Sequence, residues 1–308
     1  MKILVTGGAG FIGSHVVDNF LNLGHDVVVV DNLRTGFRRN INPKARFVEL
    51  DVRSLDLDAV FEEHKPDVVG HFAAQMDVRQ SLEDPIFDAE NNVLGMINLL
   101  ECCVRHQVKK IIYASTGGAI YGEPDTLPAT EEYPTNPLSH YGLSKFVGEE
   151  YIRLYNRLYQ LDYTILRFPN VYGPRQNPHG EAGVCAILIA LMLEGKTPTL
   201  FGQGEPLRDY VYVGDIAKAN VLALEKGSGE ILNLGSGRGT SVRELYDILS
   251  KYLDFNVDPI LKPLRAGEVE RIFITGTKAQ QILGWAPEVG IEEGLKRTAD
   301  FIKKEKAN

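Results

Sequence analysis

Thr6-Gly7-Gly8-Ala9-Gly10-Phe11-Ile12-Gly13 joins the apolar run Ile3-Leu4-Val5 to a stretch with helical periodicity, and this junction restricts the fold more than any other part of the chain. Gly8, Gly10 and Gly13 satisfy G-x-G-x-x-G; Gly7, Gly10 and Gly13 give an overlapping G-x-x-G-x-x-G. Between a strand and a helix, such glycines permit a tight turn and bring backbone amides close to a pyrophosphate. The helix then directs the positive end of its dipole at the phosphates. A second apolar run, Val27-Val28-Val29-Val30, ends in Asp31. That is about 20 residues past the glycines, where a carboxylate grips dinucleotide ribose hydroxyls and repels a 2′-phosphate. NAD is therefore expected rather than NADP, held by Gly7, Gly10, Phe11, Ile12, Gly13 and Asp31 with Asn32 beside it. Arg34 is the one neighbour that would favour a phosphate.

Apolar, β-branched bursts at 3–6, 27–31, 47–50, 68–72, 111–115 and 164–167 alternate with helical stretches at 13–23, 55–64, 89–106 and 141–159. Near-continuous apolar strands separated by helices predict an α/β fold, a doubly wound parallel sheet covered on both faces. Past 167 the texture changes, as Pro169, Pro174, Pro178, Pro198 and Pro206 break the alternation. A helical stretch at 214–226 and a strand-like 231–234 follow, then helical segments at 242–252, 278–283 and 291–304. The expected division is a Rossmann domain over 1–168, with 211–235 rejoining it. Residues 169–210 and 236–308 form a smaller C-terminal lobe over the sheet's carboxyl edge, where ligands bind in such folds. After the third strand, Asp51-Val52 either lines the adenine or, in the case of Asp51, caps a helix. After the fourth, Phe72-Ala73-Ala74 offers small residues for close approach to a cofactor, or merely packs a strand end.

Bulk properties exclude several classes. Across 308 residues, 44% are hydrophobic and the net charge is −8, which argues against a nucleic-acid or anionic-membrane surface. The apolar run 184–193 is too short to span a bilayer. The first strand begins within three residues, leaving no room for a signal peptide. Cys102, Cys103 and Cys185 form no C-x-x-C pair, and the seven histidines are scattered. Buried thiols in a reducing cytoplasm and no metal are the expectation.

Tyr141-Gly142-Leu143-Ser144-Lys145 carries the chemistry. Four residues apart on a helix, the phenol and the ammonium share a face. A free tyrosine titrates near ~10, and a lysine held close is expected to lower that value toward the working range. The spacing alone is near what chance supplies, so its context decides.

Taken together, these pieces resemble the extended short-chain dehydrogenase/reductase family, and within it the enzymes that invert C4 of nucleotide sugars. The resemblance covers nearly the whole chain in the family's order: TGGAGFIGSH at 6–15, VDNL at 30–33, HFAA at 71–74 and NNV at 91–93, then AIYGE at 119–123, YGLSK at 141–145, LRFPNVYGP at 166–174 and LRDYVYVGDIA at 207–217. It implies NAD as cofactor, with Asp51, Val52, Phe72, Ala73, Ala74, Gln75 and Asn91 added to its site. It implies that Tyr141, as phenolate, takes the proton from the sugar O4 while Lys145 binds the nicotinamide ribose. A UDP-sugar would be held by Ser115, Thr116, Tyr141, Asn170, Arg208 and Arg265, and UDP-glucose and UDP-galactose would be interconverted through a 4-keto sugar. Helices at 89–106 and 141–159 would pair in a homodimer. The alternatives are an epimerase for UDP-N-acetylglucosamine or UDP-glucuronate, a related decarboxylase or dehydratase, and a non-catalytic NAD-binding protein.

This chain departs from the family pattern in three places. Where a Ser or Thr is usual, four residues before Tyr121, stands Gly117, so a shifted loop is expected to present Thr116 instead. Family dehydratases carry Asp-Glu after that hydroxyl; Gly118 and Ala119 cannot transfer a proton, which disfavours dehydration. Alignment from 265–268 sets Ile272 where some members have a bulky tyrosine beside the sugar. That leaves room for N-acetyl groups unless Ile272 only packs a strand.

Overall fold

Four consecutive valines at 27–30 place β-branched side chains on both faces of a pleat, which suits a strand buried on both sides. The computed structural model describes residues 1–178, 183–265 and 269–307. In its first half lie β1 (Lys2–Thr6), α1 (Phe11–Asn22), β2 (Asp26–Asp31), β3 (Arg46–Glu49), α2 (Leu57–His64) and β4 (Val68–His71). Short helices α3 (Val78–Glu83) and α4 (Pro85–Ala89) lead through a π-turn, Glu90–Leu94, into α5 (Gly95–Arg105). Next come β5 (Lys110–Thr116), α6 (His140–Tyr159) and β6 (Asp162–Phe168). The second half holds β7 (Asn170–Tyr172), α7 (Val184–Leu193), β8 (Thr199–Phe201), β9 (Leu207–Arg208), β10 (Tyr210–Tyr212), α8 (Val213–Leu222) and β11 (Glu230–Asn233). The last elements are β12 (Thr240–Ser241), α9 (Val242–Leu253), β13 (Ile260–Lys262), β14 (Arg271–Ile272), α10 (Thr277–Leu283) and α11 (Ile291–Ala307).

Seven parallel strands form one sheet in the order β11-β6-β5-β4-β1-β2-β3. The period-2 alternation of each strand sorts its side chains onto two layers. Ile3 and Val5 pack with Val16, Val17 and Phe20 of α1 and Ile216 of α8. Leu4, between them, packs with Phe61 of α2, Leu99 of α5 and Ile152 of α6. A third cluster joins Leu188 of α7, Leu245 of α9 and Leu295 of α11. The order reverses between β1 and β4, which opens the crevice where dinucleotides sit in such sheets. Among the described residues, no helix is long and apolar enough to cross a membrane.

Most elements stand where periodicity put them, with ends shifted by one to three residues. Two differ more. The stretch 89–106 is not one α-helix, because the Asn91 side chain takes the Phe87 carbonyl four residues back (2.7 Å) and the backbone opens into the π-turn. The helix expected over 214–226 is Val213–Leu222. The strand at its foot, β11, does pair with β6 at the sheet edge.

Candidate active site

Helix α1 starts after Gly10 with no side-chain cap and no acid in its first turn. Its first amides therefore open on a cavity of about 1210 Å³, which every residue expected above to hold the cofactor or the UDP-sugar also lines. Gly7 has φ +70, and a Cβ there would lie 2.5 Å from the Ala73 nitrogen. A Cβ on Gly13 would lie 2.2 Å from the Gly7 carbonyl oxygen. The turn thus leaves no room for side chains and presents backbone donors, a fit for the diphosphate of a dinucleotide.

Asp31 closes β2, its carboxylate accepting the Ala9 amide (3.0 Å) and the Leu33 amide (2.8 Å). Burial pushes this carboxyl above its ordinary range, and the two amides work against that. Arg34 lays its guanidinium over the Phe87 ring at 4.2 Å. Asp51 does not cap α2, which begins after Asp56. Arg53 (Nε 2.9 Å, Nη2 3.0 Å) and Asn32 (Nδ2 2.8 Å) hold its carboxylate, and these hydrogen bonds, the Arg53 one foremost, lower its pKa to about 2.

Ser139 caps α6 by accepting the Gly142 amide (3.1 Å), so Tyr141 enters in the first helical turn with Lys145 one turn on. The expected lowering of the phenol by Lys145 is absent. Burial pushes Tyr141 up to about 12, the Asp88 carboxylate adds to that, and a hydrogen bond from Thr116 opposes it. Lys145 instead donates to the Ala114 carbonyl (2.7 Å) and lies 4.6 Å from the centre of the Tyr113 ring. Burial pulls its ammonium down to about 8 against the pull of Asp88 and Glu149. The ammonium rests on the end of β5, so the protein alone does not make the phenol a base.

The departure at Gly117 has a packing cause. A Cβ there would come within 2.3 Å of Ile274 Cδ1, so a hydroxyl residue at 117 would point into the cluster of Ile120, Tyr121 and Ile274. Thr116 meets the phenol instead. Ser115 lines the cavity, but its hydroxyl donates to Glu149 (2.5 Å). Glu149 in turn takes two bonds from Arg167, Nε to Oε1 at 2.9 Å and Nη2 to Oε2 at 2.6 Å. Thr116→Val, which keeps the shape and removes the donor, is expected to lower kcat about tenfold. Unchanged turnover in a steady-state assay would exclude this role for Thr116.

The far half of the cavity belongs to the C-terminal elements. Arg208 donates to the Leu207 carbonyl (2.9 Å) and the Val269 carbonyl (2.5 Å), and Arg265 stacks over Phe201 at 3.6 Å. Asn170 opens β7 and pairs with Tyr210 of β10. One wall is α7, whose uniformly apolar sequence marks a buried helix. In the sequence this run shows only that it is too short to span a membrane. Ile272 is buried among Ile120, Tyr121, Ala129 and Ile274 and does not line this cavity, so it packs a strand. Of the residues used to align it, 266–268 lie outside those described. Sequence reasoning also missed Asp88, because an aspartate on an apolar helical stretch carries no motif. Among the described residues, no cluster of His, Cys, Asp or Glu could hold a metal.

The model of the NAD dependent epimerase/dehydratase family matches residues 3–235. A protein of Methanocaldococcus jannaschii, provisionally named a UDP-glucose 4-epimerase, is 53% identical over 301 residues, 98% of each chain. The UDP-glucose 4-epimerase of Thermotoga maritima, solved with UDP-glucose, is 47% identical with a TM-score of 0.98 over 99% of both chains. The UDP-glucose 4-epimerase of Thermus thermophilus, solved in complex with NAD, is 43% identical with a TM-score of 0.93, covering 98% of this chain and 99% of that one. A family match over that span, with a fold shared to this degree, is decisive: the chain belongs to the NAD dependent epimerase/dehydratase family.

Proposed function

We propose that this protein is an isomerase that interconverts UDP-glucose and UDP-galactose, using NAD to oxidise and re-reduce C4. The observation that carries this reading is the convergence of Tyr141, Thr116 and Lys145 on one cavity, between the uncapped glycine turn and the Asn170–Arg208–Arg265 half. The likeness to epimerases solved with UDP-glucose and with NAD supports it.

Bound NAD would take C4–H as hydride and give it back, and its oxidised ring would add a positive charge that favours the phenolate. The glycine turn, Asp31 and Asp51 would hold the dinucleotide, and Lys145 would bind its nicotinamide ribose. Tyr141, as phenolate, accepts the O4 proton, with Thr116 donating to the same oxygen to hold it in place. Arg208 and Arg265 grip the diphosphate, since guanidinium forks suit phosphate oxygens. Held at its diphosphate, the 4-keto sugar turns over against the apolar α7 wall, and Tyr141 returns the proton to O4. Proton transfer closes on itself, so no further acid or base is needed, consistent with Gly117, Gly118 and Ala119 beside Thr116.

The reading includes a cytoplasmic location, supported by three buried, unpaired cysteines. It also includes a homodimer, supported by exposed Leu143, Leu154 and Leu158 along α6 and Leu94 beside α5; light scattering at the mass of one chain would remove that part. To test the activity, the purified protein is incubated with UDP-galactose, UDP-glucuronate or UDP-N-acetylglucosamine, each with and without added NAD. UDP-glucose formed from UDP-galactose is the expected product. Turnover of another sugar alone would reassign the substrate, and no turnover in any tube would end the epimerase reading.

A further inference from the structure

Asp88 is buried at the end of α4, beneath the catalytic helix, with 1% of its surface exposed. Its Oδ1 accepts from Gln75 Nε2 (3.2 Å) and Asn92 Nδ2 (3.1 Å). Asn92 clamps Gln75 from both sides, accepting its amide (2.9 Å) and donating to its carbonyl (2.8 Å). It also donates to Ser144 Oγ (3.1 Å), and Ser144 donates to the Tyr141 carbonyl (3.0 Å). One buried chain of hydrogen bonds thus runs from the loop after β4, which lines the cofactor half of the cavity, to the turn that carries Tyr141 and Lys145. Gln75 and Asn92 meet the carboxylate only as donors, the surroundings of an ionised group. A buried charge acts strongly on neighbours because little water screens it.

We propose that Asp88 is a positioning residue for the Tyr141–Lys145 pair, locking their helical turn to the cofactor loop while its negative charge sets the pH range in which phenolate and ammonium coexist. This rests on the function proposed above. The titratable groups that face Asp88 are Tyr141, Lys145 and His140 on α6 and Tyr113 on β5. Glu149 bears on Lys145 from within α6, and buried His71 on β4 stays neutral beside it. The sign follows from charge. A carboxylate disfavours the phenolate, raising the Tyr141 pKa, and favours the ammonium, raising that of Lys145. Its removal therefore lowers both.

Asp88→Asn keeps the shape and the two bonds at Oδ1 but removes the charge. With NAD bound, the Tyr141 phenolate is followed by ultraviolet absorbance against pH, as the difference from Tyr141→Phe. The midpoint in Asp88→Asn is expected to fall by about one unit. Both limbs of kcat against pH should move to lower pH together. A midpoint equal to wild type, with kcat reduced at every pH, is the signature of mere packing and would overturn the proposal. If Asp88→Asn does not fold, the same titration of Asp88→Ser, which also removes the charge, decides. A midpoint below wild type supports the proposal, and a midpoint equal to wild type overturns it. The phenolate titration needs no sugar, so wild type inactive on UDP-galactose would refute the function without deciding the role of Asp88.

Discussion

Tyr141→Phe is expected to lower kcat for C4 epimerisation by a factor of about 10²–10⁴, the usual contribution of a positioned acid–base group. The substitution removes one oxygen. The ring remains on α6, whose start is fixed by Ser139 and whose turn is tied through Ser144 and Asn92 to the loop after β4. KM for the UDP-sugar should stay within a few-fold, because the arginines that grip it lie in the other half of the cavity. Circular dichroism and retained NAD should match wild type. Residual turnover above about a tenth would mean that another group carries the proton. Within reach are Thr116, whose hydroxyl is too weak a base, and Lys145, whose ammonium is bonded to Ala114.

Arg167→Met should cost about 3–5 kcal/mol of stability, as expected when one partner of a buried ion pair is removed and the other left charged. The side chains of Arg167 and Glu149 are 4% and 0% exposed. Arg167 also donates to the Tyr121 hydroxyl (2.7 Å), which donates to Asn233 Oδ1 (2.8 Å). The network therefore joins α6, β6, β11 and the loop after β5. Urea unfolding measures the loss, and the double variant Glu149→Met/Arg167→Met should recover much of it, because no charge is then stranded. A loss below about 1 kcal/mol in the single variant would mean that Glu149 finds water or a proton. The pair also bears on catalysis, since Glu149 holds the hydroxyl of Ser115, next to Thr116, and lies one turn past Lys145.

What the sequence revealed and what it hid divide along a physical line. Local patterning marked the elements, because β-branched bursts and helical periods are properties of a few adjacent residues. The glycine turn was legible for the same reason: strand, turn and helix are contiguous, and Asp31 follows at a fixed interval. Contacts between distant segments were not legible. Gly117 reads as a missing hydroxyl until Ile274, far along the chain, is seen to fill the space its Cβ would need. Ser115 and Thr116 are adjacent hydroxyls in sequence, yet one is spent on Glu149 and the other meets Tyr141. Spacing put Lys145 on the face of Tyr141 but could not show that its ammonium would turn to the Ala114 carbonyl. Asp88 was hidden because a buried acid has no sequence signature; only its hydrogen-bonding neighbours reveal it.

The central claim is that C4 is oxidised and re-reduced inside one cavity, by a hydride that is held and returned. The most direct measurement follows the hydrogen on that carbon. UDP-galactose bearing deuterium at C4 is converted in ordinary water, and the UDP-glucose formed is examined by mass spectrometry and NMR. The account predicts that the deuterium remains, at C4, with the configuration inverted. Loss of the label to solvent would contradict it, because the hydrogen would then have left as a proton rather than been held and returned.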